Sequence, residues 1–286
     1  MGEHTTISWT HHTFNPWWGC TEISPACDNC YAREWAKRFD VKWGTGQPRR
    51  PASERTWAEP LRWNRAAERA GERRRVFCAS MADVFDNEAP DDLRERLWAL
   101  IRATPHLDWL LLTKRIGNAL KMLPADWWFN YPNIWIGATV ATQEEADRDV
   151  CKLIQTLARV CFLSIEPMLG PIDLSQWMGI EHGTGFPLPW NAGIDWVIAG
   201  GESGRHARPA QLDWARSLRD QCVAARVPFH WKQWGEWVPP SALPDHPFKD
   251  LPPEIANPHA MMRVGKEVAG RSLDGRIWDE FPRLAQ

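Results

Sequence analysis

No stretch of this 286-residue chain reaches the run of about 18 apolar residues that a membrane helix needs. The opening MGEHTTISWTHHT has no apolar core of the kind a secretory leader carries, so neither membrane spanning nor secretion is expected. Excess positive charge is also missing. A net charge of −2 excludes a globally basic nucleic-acid coat and leaves only local patches. Tyrosine is scarce, two residues against 20 tryptophans, and no internal repeat or low-complexity tract is present. The seven cysteines are odd in number and do not form a disulfide framework, which fits a reducing cytoplasm. With 44% apolar residues, the chain can build one large α/β domain or two small ones.

What stands out is the segment from Asn15 to Arg33, where Cys20, Cys27 and Cys30 fall within eleven positions of a loop rich in Pro, Gly and Asn. Three clustered thiols point to a metal or cluster site. A structural zinc usually takes four protein ligands, and no second CxxC or HxxxH lies nearby. Zinc would need His11, His12 or a remote residue to complete its shell. An iron–sulfur cubane held by three thiolates would instead keep one iron open to a small molecule. Three unrelated buried thiols are the plain alternative. Cys78, Cys151, Cys161 and Cys222 lie inside apolar or helical patterns and are expected to be packed.

Short apolar runs alternate with helical patterns along most of the chain. The sequence predicts strands over 7–10, 76–80, 109–113, 134–139, 160–165, 196–200 and 228–231, with helices over 31–39, 91–103, 116–122, 143–157 and 211–225. The stretch from Val41 to Trp57 reads as a mobile basic loop. Such alternation is the mark of a parallel sheet covered by helices. The expected fold is α/β, a complete or partial (β/α) barrel, with a doubly wound sheet second. Barrel sites form where the strand C-termini converge. Ser80, Asp83, Thr113, Lys114, Glu166, Glu202, Ser203, Lys232 and Gln233 all follow strands, so they are expected around one mouth.

Gly200-Gly201-Glu202-Ser203-Gly204 is the sharpest of these positions. Glycines after a strand admit close backbone approach to a ligand, successive N–H groups can bind a carboxylate, and Glu202 could accept from an amine. A P-loop is excluded because Gly-Lys-Ser/Thr is absent. Trp17, Trp18, Trp234 and Trp237 sit beside Gly, Pro or charged residues, where a ring could face a cleft or stack on a base. Beyond residue 235 prolines multiply, and Ser272 to Trp278 reads as a hairpin with an Asp-Gly turn. The expected organisation is a barrel-like domain over 1–235 with the cysteine loop at its start, and an irregular Pro-rich C-terminal extension over 236–286 packed on it.

Eight segments, SWTHHTFNPWWGC, CDNCYA, SMADVF, LLTKR, SIEPMLGPI, DWVIAGGESG, HWKQWGEW and LDGRIWDEFP, are spread along nearly the whole chain. On them it resembles the bacteriophage-associated "gp-thirty-seven"-type family, which is related to radical S-adenosylmethionine (radical SAM) enzymes of the spore-photoproduct-lyase kind. That resemblance implies a radical SAM-type barrel and a [4Fe-4S] cluster on Cys20, Cys27 and Cys30. It also implies S-adenosyl-L-methionine on the open iron and reductive cleavage to a 5′-deoxyadenosyl radical. The gap between Cys20 and Cys27 is longer than the superfamily usually has, and the Gly-Gly-Glu follows about the sixth strand rather than the second.

The function expected from this combination is modification or repair of a nucleic-acid base, DNA or RNA, with a reductant protein as second partner. Glu166, Lys232 and Asp83 are the candidate catalytic groups. Gly200, Gly201, Glu202, Ser203, Ser80, Thr113 and Lys114 are the candidate cofactor contacts, and Arg49, Arg50, Lys114, Arg115, Arg205 and Arg208 are candidates to meet phosphates. A non-catalytic zinc- or iron–sulfur-binding protein, serving nucleic-acid binding, electron transfer or sensing, is the alternative.

Overall fold

The computed structural model describes residues 5–178, 193–243 and 260–283. Seven strands form one sheet in the order of the sequence: β1 (His12–Phe14), β2 (Arg74–Cys78), β3 (Leu107–Thr113), β4 (Ile134–Thr139), β5 (Cys161–Ile165), β6 (Trp196–Gly200) and β7 (Phe229–Gln233). The ladders from β1 to β4 and from β5 to β7 are parallel. β1 and β7 are the edges, so the fold is α/β, a partial (β/α) barrel rather than a closed one. The chain divides into two compact units, Met1–Ala138 with Lys152–Cys161, and Thr139–Cys151 with Phe162–Gln286.

In the first unit the opening strand is not where the apolar run suggests. Residues 7–10 form a turn in which the Thr10 amide donates to Ile7 O at 3.3 Å, and the strand is the polar-looking His12-Thr13-Phe14. All three residues are buried. The His12 ring stacks on Trp63, centroids 4.5 Å apart, and Phe14 meets Trp57 and Trp109 edge-on. These aromatic walls make a polar tripeptide fit an apolar environment.

Helix α1 (Tyr31–Arg38) follows the cysteine loop, with only Ala32 and Ala36 buried along it. The expected loop holds more regular structure than its composition suggests. Arg50–Pro51 pairs antiparallel with Trp17–Trp18, and helix α2 (Glu54–Ala70), absent from the sequence-based expectation, begins inside the region assigned to the loop. α2 starts at Ser53, whose Oγ accepts the Thr56 amide at 3.3 Å, and stops at Gly71 in the left-handed region, φ 64°. Trp57, Pro60, Trp63, Asn64 and Ala67 make its buried stripe. Helix α3 (Asp91–Arg102) joins β2 to β3; between β3 and β4, where one helix is expected over 116–122, a 3-10 turn precedes four helical residues.

Helix α4 (Gln143–Gln155) precedes β5, and in the second unit α5 (Leu212–Ala225) lies between β6 and β7. The described C-terminal residues return to these strands. Trp231 N–H donates to Trp278 O, Glu280 N–H to Phe229 O and the Trp196 indole to Glu280 O, at 2.9 to 3.2 Å. Ser272–Leu273 and Arg276–Ile277 form the expected hairpin, with Asp274 and Gly275 both at positive φ, 53° and 75°. Pro244, Pro247, Pro252, Pro253 and Pro258 lie outside the described residues. Trp17 and Trp234 are core residues, not ring platforms. Cys78, Cys161 and Cys222 are packed as expected, but Cys151 is exposed on α4.

Candidate active site

The first unit holds the three clustered thiols between β1 and α1. Ser24 starts a short 3-10 turn, its Oγ accepting the Ala26 amide at 3.0 Å, and this turn carries buried Cys27. The Cys30 amide donates to Cys27 O at 3.1 Å, and Cys30 itself occupies the N-cap of α1. Cys20 is held by a side chain from after β3. Arg115 donates from Nη1 to Cys20 Sγ at 3.4 Å and from Nη2 to Thr21 O at 2.7 Å. Burial, reinforced by Asp83 and opposed by Arg115, pushes the Cys20 thiol up to about 12.

Behind this loop lies a network of buried charges. Asp83 accepts from the Phe85 amide (3.0 Å), Thr113 Oγ1 (2.7 Å), the Lys114 amide (3.1 Å) and Arg115 Nη1 (3.2 Å). Both oxygens of Asp83, an expected catalytic group, face donors of this chain, so its carboxylate brackets the loops after β2 and β3. Thr113 is part of the same bracket, since its hydroxyl also accepts the Arg115 amide at 2.8 Å. Ser80 shares a hydrogen bond with Asn15 at 3.0 Å, and Asn15 Oδ1 accepts the Met81 amide at 2.7 Å. Lys114 is half-buried, and among the described residues no carboxylate pairs with its ammonium.

Arg49 and Arg115 are not the phosphate contacts their setting in the sequence suggests. The Arg49 side chain is fully buried and donates to Asp86 (2.8 Å), Glu88 (2.6 Å), Thr21 Oγ1 (2.9 Å) and the carbonyls of Gly44 (3.1 Å) and Gln47 (2.9 Å). Arg115 faces Asp83 and Cys20. Both charges close the network from within.

The second unit has its own polar set at strand ends. Lys232 on β7 pairs with Glu166 after β5 at 2.8 and 3.0 Å from its two carboxylate oxygens. Gln233 Nε2 donates to Glu166 Oε1 at 3.3 Å and to Ser203 Oγ at 3.1 Å. The four side chains form one hydrogen-bonded chain, and Glu166 and Lys232 keep partial exposure.

The glycines next to it have a different explanation from the expected one. A Cβ on Gly201 would lie 1.9 Å from Trp234 O, and one on Gly235 2.1 Å from Glu202 O. Here the close approach is to the loop after β7, and the Gly201 amide donates to Gln233 O at 2.9 Å. A Cβ on Gly200 would meet Gln233 O at 3.1 Å. Glu202, expected to accept from an amine, is buried and accepts three bonds from Arg208 at 2.7 to 3.0 Å. Its carboxylate holds the backbone and guanidinium of Arg208.

A cluster would need three thiolates, and the donor set has the chemistry for it: three soft thiols on one loop, with the guanidinium of Arg115 partly opposing the burial that raises the Cys20 thiol. The side chains are not gathered. Among the described residues no three His, Cys, Asp or Glu converge as ligands of a metal ion. Nor do the histidines offered to zinc turn toward the thiols: His11 Nδ1 accepts the Arg75 amide at 2.8 Å and His12 stacks on Trp63.

Residues 4–282 match the family described as "Protein of unknown function (DUF5131)". No curated protein matches the chain. Among solved structures it is similar to a spore photoproduct lyase double mutant with bound AdoMet and dinucleoside spore photoproduct, at 13% identity and TM-score 0.40, covering 76% of this chain and 62% of that one. A single-site mutant of spore photoproduct lyase gives 13% identity and TM-score 0.43, covering 76% and 73%. The enzyme complexed with the dinucleoside spore photoproduct gives 13%, 0.42, 76% and 62%. The chain thus spans under two thirds of the length of the first of these. Among the described residues no helix is long and apolar enough to cross a membrane.

Proposed function

This chain belongs to the DUF5131 family of proteins of unknown function, and we propose that it is a radical SAM-like iron–sulfur enzyme acting on a nucleic-acid base. One observation carries the reading: three thiols, Cys20, Cys27 and Cys30, on the loop that leaves the first strand of a partial (β/α) barrel. These three would hold a [4Fe-4S] cluster. When bound, the cluster would supply the electron that cleaves S-adenosyl-L-methionine to a 5′-deoxyadenosyl radical, the electron coming from a reductant protein.

The chain's own residues take simpler roles. Arg115 holds the carbonyl of Thr21 and the sulfur of Cys20, which fixes the start of the cysteine loop; Asp83 and Thr113 hold Arg115 in turn, and the Lys114 amide donates to Asp83. Ser80, tied to Asn15, steadies the loop after β2. The Lys114 ammonium is free for an anion, a substrate phosphate or a carboxylate. In the second unit Glu166 and Lys232 are the groups we assign to substrate, one acceptor and one donor held in register by Gln233 and Ser203. Gly200 and Gly201 keep the strand end close to Gln233 and Trp234.

Anaerobic preparation with iron and sulfide, followed by electron paramagnetic resonance and product analysis, tests this reading. Reduced protein with S-adenosyl-L-methionine is expected to yield 5′-deoxyadenosine, and Cys27→Ala to yield none. A cluster without cleavage would reassign the protein to electron transfer or sensing. A colourless protein with stoichiometric zinc would make it a zinc protein.

A further inference from the structure

Helix α1 turns its wide face outward. Its inner face is built from Ala32 and Ala36, so the large residues of the same helix stand outside: Tyr31 is 52% exposed, Trp35 48%, and Phe39 just beyond its end 47%. They follow one another at intervals of four and therefore share one side of the helix. The Trp35 and Phe39 rings are nearly parallel, 13° apart with centroids at 6.1 Å, and Trp18 meets Phe39 edge-on at 5.3 Å. Single exposed apolar residues need no explanation, but a row of rings does.

Two guanidiniums frame this row. Arg38 lies over Trp35, 5.1 Å from the ring centroid, and Arg50 over Trp18 at 5.3 Å. Arg50 also donates to Phe39 O at 2.9 Å, which ties the short strand to the end of α1. Other cations nearby are occupied: Lys37 pairs with Glu34, Lys42 with Asp40 and Arg33 with Glu22. Among the described residues no carboxylate pairs with Arg38 or Arg50. The patch therefore offers flat π-faces beside two guanidiniums that form no ion pair, Arg38 feeling only the more distant charge of Glu34, and both are already held in place by stacking, so little side-chain freedom is lost on binding.

We propose that this face binds single-stranded nucleic acid, with bases stacked on Trp35 and Phe39 and the backbone phosphates met by Arg38 and Arg50. Aromatic platforms interleaved with cations are what such strands recognise without sequence preference. The inference extends the nucleic-acid reading above, but needs neither a cluster nor a cleavage reaction.

The test uses the full chain as purified, with no iron, sulfide or S-adenosyl-L-methionine added. Its failure would thus be separate from failure of the radical reaction. Fluorescence anisotropy measures binding of a labelled oligothymidylate of about fifteen nucleotides, and of an abasic strand of equal length, across a salt series. Trp35→Ala and Phe39→Ala are each expected to weaken the oligothymidylate roughly five- to a hundredfold and leave the abasic strand unchanged. Arg38→Gln with Arg50→Gln should weaken both and reduce the log–log salt slope by about 1.4, two phosphates at about 0.7 each. Phe129→Ala, an exposed ring elsewhere at 83%, is the control. Where alanine lowers the melting temperature, Trp35→Leu replaces it. Equal affinity for the abasic strand, ring variants no weaker than Phe129→Ala, or no binding at all would each overturn the proposal. So would ring variants that lose an acidic electron-carrier protein while keeping the oligonucleotide, since the face would then dock a protein.

Discussion

Replacing Arg49 by Met should expose how much of the first unit depends on one buried charge. The methionine keeps length and apolar bulk, so the loss is that of the guanidinium. That group makes five hydrogen bonds at 2.6 to 3.1 Å. Without it Asp86, whose side chain is 2% exposed, keeps the Glu88 amide at 3.1 Å and a distant Arg115 at 3.9 Å. Breaking a buried pair from one side costs about 3–5 kcal/mol, because the surviving charge stays buried. Arg115 offsets part of this, so about 3 kcal/mol is expected. Asp86→Asn should cost about 2–3 kcal/mol, since Arg49 still reaches the half-exposed Glu88. The double variant removes both charges and should fall short of the sum by at least about 1.5 kcal/mol. Urea unfolding followed by circular dichroism and tryptophan fluorescence gives all three values. Additivity within about 0.5 kcal/mol would refute the reasoning, as would a loss under about 1 kcal/mol for Arg49→Met.

Three further outcomes are expected. Gly201→Ala places a Cβ 1.9 Å from Trp234 O and should prevent soluble folding at 37 °C or lower the melting temperature by many degrees; a glycine kept only for a ligand would leave melting unchanged. Burial, with Arg75 and Arg74 nearby, lowers the His11 imidazole from the usual value near 6.5 to about 4. The folded state then binds fewer protons than the unfolded one between those values, so stability is full above pH 6.5 and declines as pH falls toward 4. The part-exposed ring limits this to about 1–2 kcal/mol, and His11→Gln should flatten the slope in pH-dependent urea melts. Lys232→Met should reduce turnover of the reconstituted enzyme by about a hundredfold or more and change the urea midpoint little, whereas equal losses of stability and rate would make the Glu166 pair a structural one.

The regular elements were legible wherever burial and composition agreed. β4 and β6 are apolar runs buried along their whole length, and their bounds follow from that, whereas β3 starts two residues before its apolar run, through the buried Asp108. β1 was hidden because His12 and Thr13 are polar, and the rings packed on His12 and Phe14 come from α2 and β3, far along the chain. α2 carried its own signals, Ser53 before it and Gly71 after it, but the Pro and Arg content around Gly44 to Pro51 reads as loop. The thiol loop and the strand-end positions of Glu166 and Lys232 could be placed from spacing alone. Which charges would face each other could not. Arg49 meets Asp86 and Arg115 meets Asp83 across 37 and 32 positions, and a basic residue satisfied at such distance looks the same in sequence as one left for a phosphate.

Gly201 and Gly235 also constrain how this chain can drift. Each sits where the other segment's backbone passes within 2.1 Å of its missing side chain, so neither position can gain even a methyl group unless the opposite loop moves. Length changes in the turns after β6 and β7 are coupled in the same way, because a residue inserted into one would push its backbone off the other. Variants that alter this end of the second unit should therefore arise as paired changes in the two turns. Diversity among its relatives belongs in segments that cross nothing.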